Sequence, residues 1–160
     1  MRIETARLVI RSFTLADLEN YAAIVADPDV MQYLGGKPQS IDEAEQYLIN
    51  VIEQDRETGL ARFAVDEKAS GELIGFCGFK PVGEYIDLGY RYSKRVWGKG
   101  IGTEAALSVR NYGRLDLRIT NMEAGALAAN RASISIIEKL GFPHRALVQM
   151  DGRDAIRFYD

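Results

Sequence analysis

The chain has 160 residues, a formal net charge of −3 and an apolar fraction of 47%, which fits a single domain over residues 1–160 with enough apolar surface for a core. That charge, with no basic run interleaved with aromatics, argues against nucleic acid as a partner. Cys77 is the single cysteine and excludes an internal disulfide; the amino terminus lacks the apolar core of a signal peptide, and no apolar run reaches membrane-spanning length, so a cytoplasmic location is expected.

Arg7-Leu8-Val9-Ile10-Arg11 is a short β-branched run that predicts a strand, and Thr14 is placed to cap a helix through Val25. Asp27-Pro28-Asp29 breaks that helix, Val30 to Leu34 predicts a further turn, and Gly35-Gly36-Lys37-Pro38 is a link. Ser40-Ile41-Asp42-Glu43 is a capping box opening a helix that stops near Gly59. Ala61 to Val65, Leu73 to Phe79 and Tyr85 to Tyr92, separated by the turn compositions Ala69-Ser70-Gly71 and Pro81-Val82-Gly83-Glu84, predict an antiparallel meander. Gly75 and Gly78 inside the middle run mark bulges or close backbone approaches. A helix from Glu104 to Tyr112, a strand from Leu117 to Ala124 and an amphipathic helix from Asn130 to Lys139 ending at Gly141 follow. Strands near Ala146 to Met150 and Ala155 to Tyr159 then pair around Asp151-Gly152, a type I′ hairpin signal.

The chemistry centres on Trp97-Gly98-Lys99-Gly100-Ile101-Gly102-Thr103, between a strand and a helix. Glycines at alternate positions strip Cβ atoms from the turn, so backbone N–H groups converge at a helix N-terminus. Lys99 adds a mobile positive charge and Thr103 a hydroxyl, which makes a pyrophosphate the natural guest. A nucleotide-triphosphate loop is excluded because Lys99 is followed by Gly100 and no glycine precedes Gly98 across the required four-residue spacer. Gly100 to Ala105 formally matches the dinucleotide fingerprint, with Glu123 about twenty residues beyond the turn. The element order opposes it: that fold needs repeated βαβ units, and here the turn follows an antiparallel meander.

Together with its flanks, the turn resembles the acyl-CoA motif of the GNAT superfamily of N-acetyltransferases, [QR]-x-x-G-x-[GA]. The resemblance extends to the ribosomal-protein N-terminal acetyltransferase (RimJ/RimL-like) branch, whose W-G-x-G-x-[AG]-T-E-A turn is matched by Trp97 to Ala105. Thr5 to Arg11 echoes the branch's T-x-R-L-x-[LI]-R, Asp27 to Leu34 its D-P-x-V-M-x-Y-L, and Asn130, Ser133 and Glu138 to Phe142 its N-x-x-S-x-x-x-x-E-K-L-G-F. The likeness covers nearly the whole chain. It implies an α/β fold (α+β by some schemes) with a mixed, mostly antiparallel, splayed sheet of about seven strands flanked by about four helices. It also implies acetyl-CoA as co-substrate, with pantetheine hydrogen-bonded to the backbone around Tyr90, Arg91 and Tyr92 and the pyrophosphate on Trp97, Gly98, Lys99, Gly100, Ile101, Gly102 and Thr103. Where the branch carries E-[IL]-G-Y-W-L, this chain has Asp87-Leu88-Gly89-Tyr90-Arg91-Tyr92, a departure on the acceptor side.

Direct acetyl transfer requires a neutral amine, a proton acceptor, oxyanion donors and a proton for the leaving thiolate. Asp87, or nearby Glu84, is the candidate base; a solvated carboxylate on a strand edge is the competing reading. Ser133 matches the serine that the resemblance implies protonates the thiolate, and Asn130 the residue that holds the pantetheine arm. Both also suit the first turn of a helix, Asn130 as N-cap. His144 has no second ligand placed to share a metal, and no metal is expected. Cys77 sits among apolar residues as a small buried hydrophobe. Tyr33, Tyr47 and Tyr90 are candidates for an acceptor pocket or for the core, and Arg11 and Arg91 for receiving an acidic substrate or for surface ion pairs. The expected function is acetyl transfer from acetyl-CoA to a primary amine, for which the branch implies a protein N-terminal α-amine, in a ternary complex, by a monomer or homodimer. Acetylation of a polyamine, amino acid or antibiotic, and a non-catalytic acyl-CoA-binding module, are the alternatives.

Overall fold

The computed structural model describes residues 1–33 and 35–160. The chain opens with β1 (Arg2–Glu4) and β2 (Leu8–Arg11), followed by α1 (Leu18–Val25), α2 (Pro28–Met31) and α3 (Ile41–Thr58). The meander is β3 (Arg62–Glu67), β4 (Glu72–Val82) and β5 (Tyr85–Tyr92); then come α4 (Ile101–Leu115), β6 (Met122–Leu127), α5 (Arg131–Glu138), β7 (His144–Met150) and β8 (Arg153–Tyr159). Among the described residues, all eight strands lie in one sheet, ordered β1-β2-β3-β4-β5-β6-β8-β7. Only β5 and β6 run parallel, and they share just the pairs Ile86–Met122 and Asp87–Glu123.

Local chemistry sets most of the boundaries. Glu43 N–H donates to Ser40 Oγ at 3.2 Å while Ser40 N–H donates to Glu43 Oε2 at 2.7 Å, so α3 starts on a complete capping box. Gly59 ends it with φ 67°. Asp27 caps α2 by accepting from Asp29 N–H at 2.9 Å, with Pro28 at the first helical position, where its missing donor costs nothing. The turn expected over residues 30–34 is therefore helical as far as Met31, and Leu34 lies outside the described residues. Asp151 and Gly152 carry φ values of 50° and 71°, the two positive values that a type I′ turn demands.

Three expectations shift. β1 goes unpredicted because three residues of mixed polarity carry no pattern; it exists by pairing Arg2, Ile3 and Glu4 with Arg11, Ile10 and Val9. The strand expected from Leu117 begins at Met122, because α4 runs on to Leu115 and Arg118 adopts φ 55°. Pro81 and Val82 belong to β4 and leave Gly83-Glu84 alone as the hairpin turn. Gly75 and Gly78 are close approaches: a Cβ would lie 2.0 Å from the Arg91 carbonyl oxygen at Gly75 and 2.2 Å from that of Ala61 at Gly78. Beside Gly75, Ile74 is the extra residue where the register of β3 against β4 shifts.

Helices cover both faces of the sheet. Phe63, Phe79 and Leu88 face α4, where Tyr112 meets Phe63 edge to face and a Cβ on Gly113 would sit 2.6 Å from Phe79 Cζ, so the helix backbone approaches the sheet closely. On the other face Phe76 stacks against Tyr47 of α3, and Tyr47 against Tyr21 of α1, with ring centroids 5.9 and 5.2 Å apart. Arg11 ties this half together. Its guanidinium bonds Asp17 at 2.8 and 2.9 Å and Asp66 of β3 at 2.6 and 3.0 Å, so it is committed to structure.

Burial resists ionisation of Asp17, yet the bonds from Arg11 and from the Thr14 N–H outweigh it and hold the carboxyl below its ordinary range. A carboxyl lowered in the folded state stabilises fully above the unfolded value, about pH 4, and loses that contribution as pH falls through the folded value. Asp17→Asn should therefore cost about 3 kcal/mol at neutral pH and flatten the loss of stability below about pH 4. Denaturant melts across pH test this; a variant matching the parent in both stability and acid response would remove the clamp.

Candidate active site

The glycine turn lies where the sequence places it, between β5 and α4. Gly98 and Gly100 have φ values of 72° and 76°, a left-handed backbone that a side chain resists. The first bond of α4 runs from Glu104 N–H to the Gly100 carbonyl at 3.1 Å. Among the described residues, the N–H groups from Gly98 through Thr103 donate to no backbone acceptor. They form a run of free donors at the positive end of a helix dipole, the arrangement that holds a phosphate. Gly102 seats the turn: a Cβ there would lie 2.8 Å from Ile136 Cδ1 and 3.1 Å from Tyr92 Cε2.

Arg7, which sequence reasoning left without a role, clamps this turn. Its Nη1 donates to the Lys99 carbonyl at 2.7 Å, its Nε to Glu104 Oε2 at 2.6 Å and its own N–H to Glu104 Oε1 at 3.0 Å. Thr5 Oγ1 also donates to Glu104. Burial opposes ionisation of Glu104, but these bonds outweigh it and hold its carboxyl below the usual range. The T-x-R stretch near the start and the T-E-A stretch of the turn are thus two halves of one contact. Their presence together was the available signal.

The parallel ladder between β5 and β6 ends at Asp87–Glu123, and the strands part beyond it. Backbone groups in a strand alternate direction. Ile86 N–H donates to the Asn121 carbonyl on the β6 side at 3.0 Å, so Tyr90 and Tyr92 turn their peptide groups into the gap, whereas Arg91, opposite Phe76, turns its own into the β4 ladder. The Trp97 indole N–H donates to the Tyr92 carbonyl at 3.0 Å and closes the free edge at the turn end.

Side chains alternate as well. Tyr90 reaches α5, where its hydroxyl donates to the Ser133 carbonyl at 3.0 Å and shares a 2.9 Å hydrogen bond with Ser133 Oγ. Burial pushes the Tyr90 phenol up, so it remains protonated. Asn130 caps α5, accepting from Ser133 N–H at 3.1 Å. On the opposite face, Asp87 pairs with Arg62, whose Nη1 also donates to the Asp87 carbonyl at 3.0 Å. Glu84 sits exposed in the β4–β5 turn, away from this group. Glu123 pairs with Arg157 of β8 at 3.4 Å, which occupies the acid the dinucleotide reading required. Burial pushes the Cys77 thiol up to about 12, which keeps it a packing residue. His144 is exposed against the Tyr159 ring. Among the described residues, no group of three or more His, Cys, Asp or Glu side chains is placed to hold a metal ion, and no helix is long and apolar enough to cross a membrane.

A splayed sheet with a glycine turn at the mouth of the splay defines the class. The same fold occurs in a GNAT-family acetyltransferase from Bacillus anthracis, with TM-score 0.84 and 23% identity over 99% of this chain and 96% of that one. It occurs also in RimL, a ribosomal-protein α-N-acetyltransferase in complex with coenzyme A, with TM-score 0.82 and 15% identity over 100% and 97% of the two chains. By sequence, the chain is 28% identical over 149 residues to the uncharacterized N-acetyltransferase p20 of Bacillus licheniformis, covering 91% of this chain and 84% of the relative. The acetyltransferase (GNAT) domain family model matches residues 7–143. The protein belongs to the GNAT acetyltransferase family, whose members transfer acetyl groups from acetyl-CoA to amines.

Gly100→Glu forces a side chain onto left-handed backbone beside the free amides. It is expected to abolish the rise in melting temperature that acetyl-CoA produces, read by thermal shift against the variant's own ligand-free melt. An unchanged rise would show that the turn does not hold the nucleotide end. Arg7→Met should lower acetyl-CoA affinity several-fold by loosening the Lys99 and Glu104 contacts.

Proposed function

We propose that the free amides of Gly98 through Thr103 bind the pyrophosphate of acetyl-CoA and that the pantetheine arm runs along the open edge of β5, pairing with the backbone of Tyr90 and contacting Asn130. The single observation that carries this reading is the run of unpartnered N–H groups beside a strand edge that has lost its neighbour. Trp97, Lys99, Ile101 and Tyr92 complete the wall, with Lys99 as a mobile counter-charge. Arg91 contributes its side chain to the opposite face and not its backbone to the cofactor.

In the reaction, the lone pair of a neutral primary amine attacks the thioester carbonyl carbon. A C–N bond forms, the carbonyl becomes an oxyanion, and its collapse breaks the C–S bond to give the amide and the CoA thiolate. The amine's extra proton passes to Asp87, directly or through water, and the thiolate takes a proton from Ser133; Asp87 then releases its proton to solvent and Ser133 regains one, so the cycle closes. Tyr90, whose phenol shares the hydrogen bond with Ser133 Oγ, stands behind it as a second donor. A backbone N–H facing the gap stabilises the oxyanion. A protein N-terminal α-amine and a small-molecule amine both fit this chemistry.

Ser133→Ala should slow turnover on the order of tenfold or more while acetyl-CoA affinity stays nearly constant, and Tyr90→Phe combined with it should slow turnover further. CoA-SH release over an amine panel, with thermal shift for binding, reads both. An undiminished rate in Ser133→Ala would reduce the serine to a residue of the helix's first turn. Stabilisation by acetyl-CoA without CoA release from any amine would mark a binding module instead.

A further inference from the structure

Resting on the transferase reading above, we infer that the acceptor is a primary amine carrying a carboxylate, seated by Arg91 on the face of β5 opposite the Tyr90–Ser133 pair. The two guanidiniums of that face are in different states. Arg62 is fully used: it lies flat over Gly89, where a Cβ would fall 2.6 Å from Nη2, and bonds the Gly78 carbonyl together with the carbonyl and carboxylate of Asp87. Arg91 stands over the Phe76 ring at 5.3 Å, and its Nε and Nη1 are buried with no acceptor. Phe76 supports the flat face of the guanidinium, which leaves the N–H edge to seek a partner.

Among the described residues no carboxylate supplies one, and the polar neighbour at hand is the Tyr21 hydroxyl. Among the described residues, the carboxylate of this cluster, Asp87, pairs with Arg62, so Arg62, Arg91 and Asp87 together leave one uncompensated positive charge. The Tyr21 hydroxyl is neutral and cannot offset the guanidinium's charge. It belongs to the same cluster through the stack of Tyr21, Tyr47 and Phe76. Arg91 is half-buried, and an incoming anion offsets the charge that no carboxylate among the described residues meets. The charge also disfavours a polyamine, whose second ammonium would meet a cation. Arg11, the other arginine considered for an acidic substrate, is excluded by its two aspartates. The site therefore selects by charge, with Arg91 on the acceptor's carboxylate and the amine directed past Asp87 to the vertex where β5 and β6 part.

The test compares kcat/KM by CoA-SH release for amino acids, each matched with its own carboxamide, and for spermidine. In the unaltered protein the carboxylate member of a pair should exceed its carboxamide by about tenfold or more, and spermidine should be the poorer substrate. Arg91→Gln should collapse the ratio towards one, and Arg91→Lys should keep part of it. Because the first comparison uses no variant, it stands even where a substitution harms folding. Carboxamides or spermidine turned over as well as carboxylates would overturn the inference and leave the transferase reading in place. An Arg91→Gln ratio equal to the parent's would also overturn it. Silence toward every amine, with acetyl-CoA still raising the melting temperature, would remove the transferase reading and the inference with it.

Discussion

Two residue pairs, Ile86–Met122 and Asp87–Glu123, make up the ladder between β5 and β6 among the described residues, and the site follows from the ladder stopping there. A parallel pair that continued would satisfy the backbone of Tyr90 from within the chain and leave nothing for a guest. Stopping it exposes strand edge at the centre of a sheet, a place where edges are otherwise absent, and edges bind whatever can complete them. The glycine turn lies at the open end of the same strand, so edge and cradle form one continuous surface.

The twofold alternation of a strand then separates the chemistry. Tyr90 and Tyr92 project toward α4 and α5, meeting Ser133 and Gly102; Asp87 and Arg91 project toward α1 and α3, meeting Arg62, Phe76 and the stacked tyrosines. In the proposed reaction, proton delivery and acceptor recognition occupy opposite faces of one strand, a few residues apart, and each can change without disturbing the other.

Much of this was legible in the sequence where the cause is local. The capping box at Ser40, the helix stop at Gly59, the Asp151-Gly152 turn and the glycine turn all depend on residues within a few positions of one another, and each stands where the pattern put it. What escaped depends on partners far along the chain. β1 is a strand only because β2 lies beside it, Arg7 has a role only because Glu104 folds against it, and the difference between Arg11 and Arg91 rests on which carboxylates reach each. Spacing showed two arginines of equal standing; packing showed one spent and one unspent.

The bond between Arg7 and Glu104 joins residues 97 positions apart, and closing so long a loop is a late and entropically expensive event in assembly. The cradle therefore gains its final shape only once the connection between β1 and β2 has docked on α4. A partly folded chain would keep the glycine motif yet lack the clamp that sets it, so under the proposed function acetyl-CoA affinity would report on completion of the whole fold.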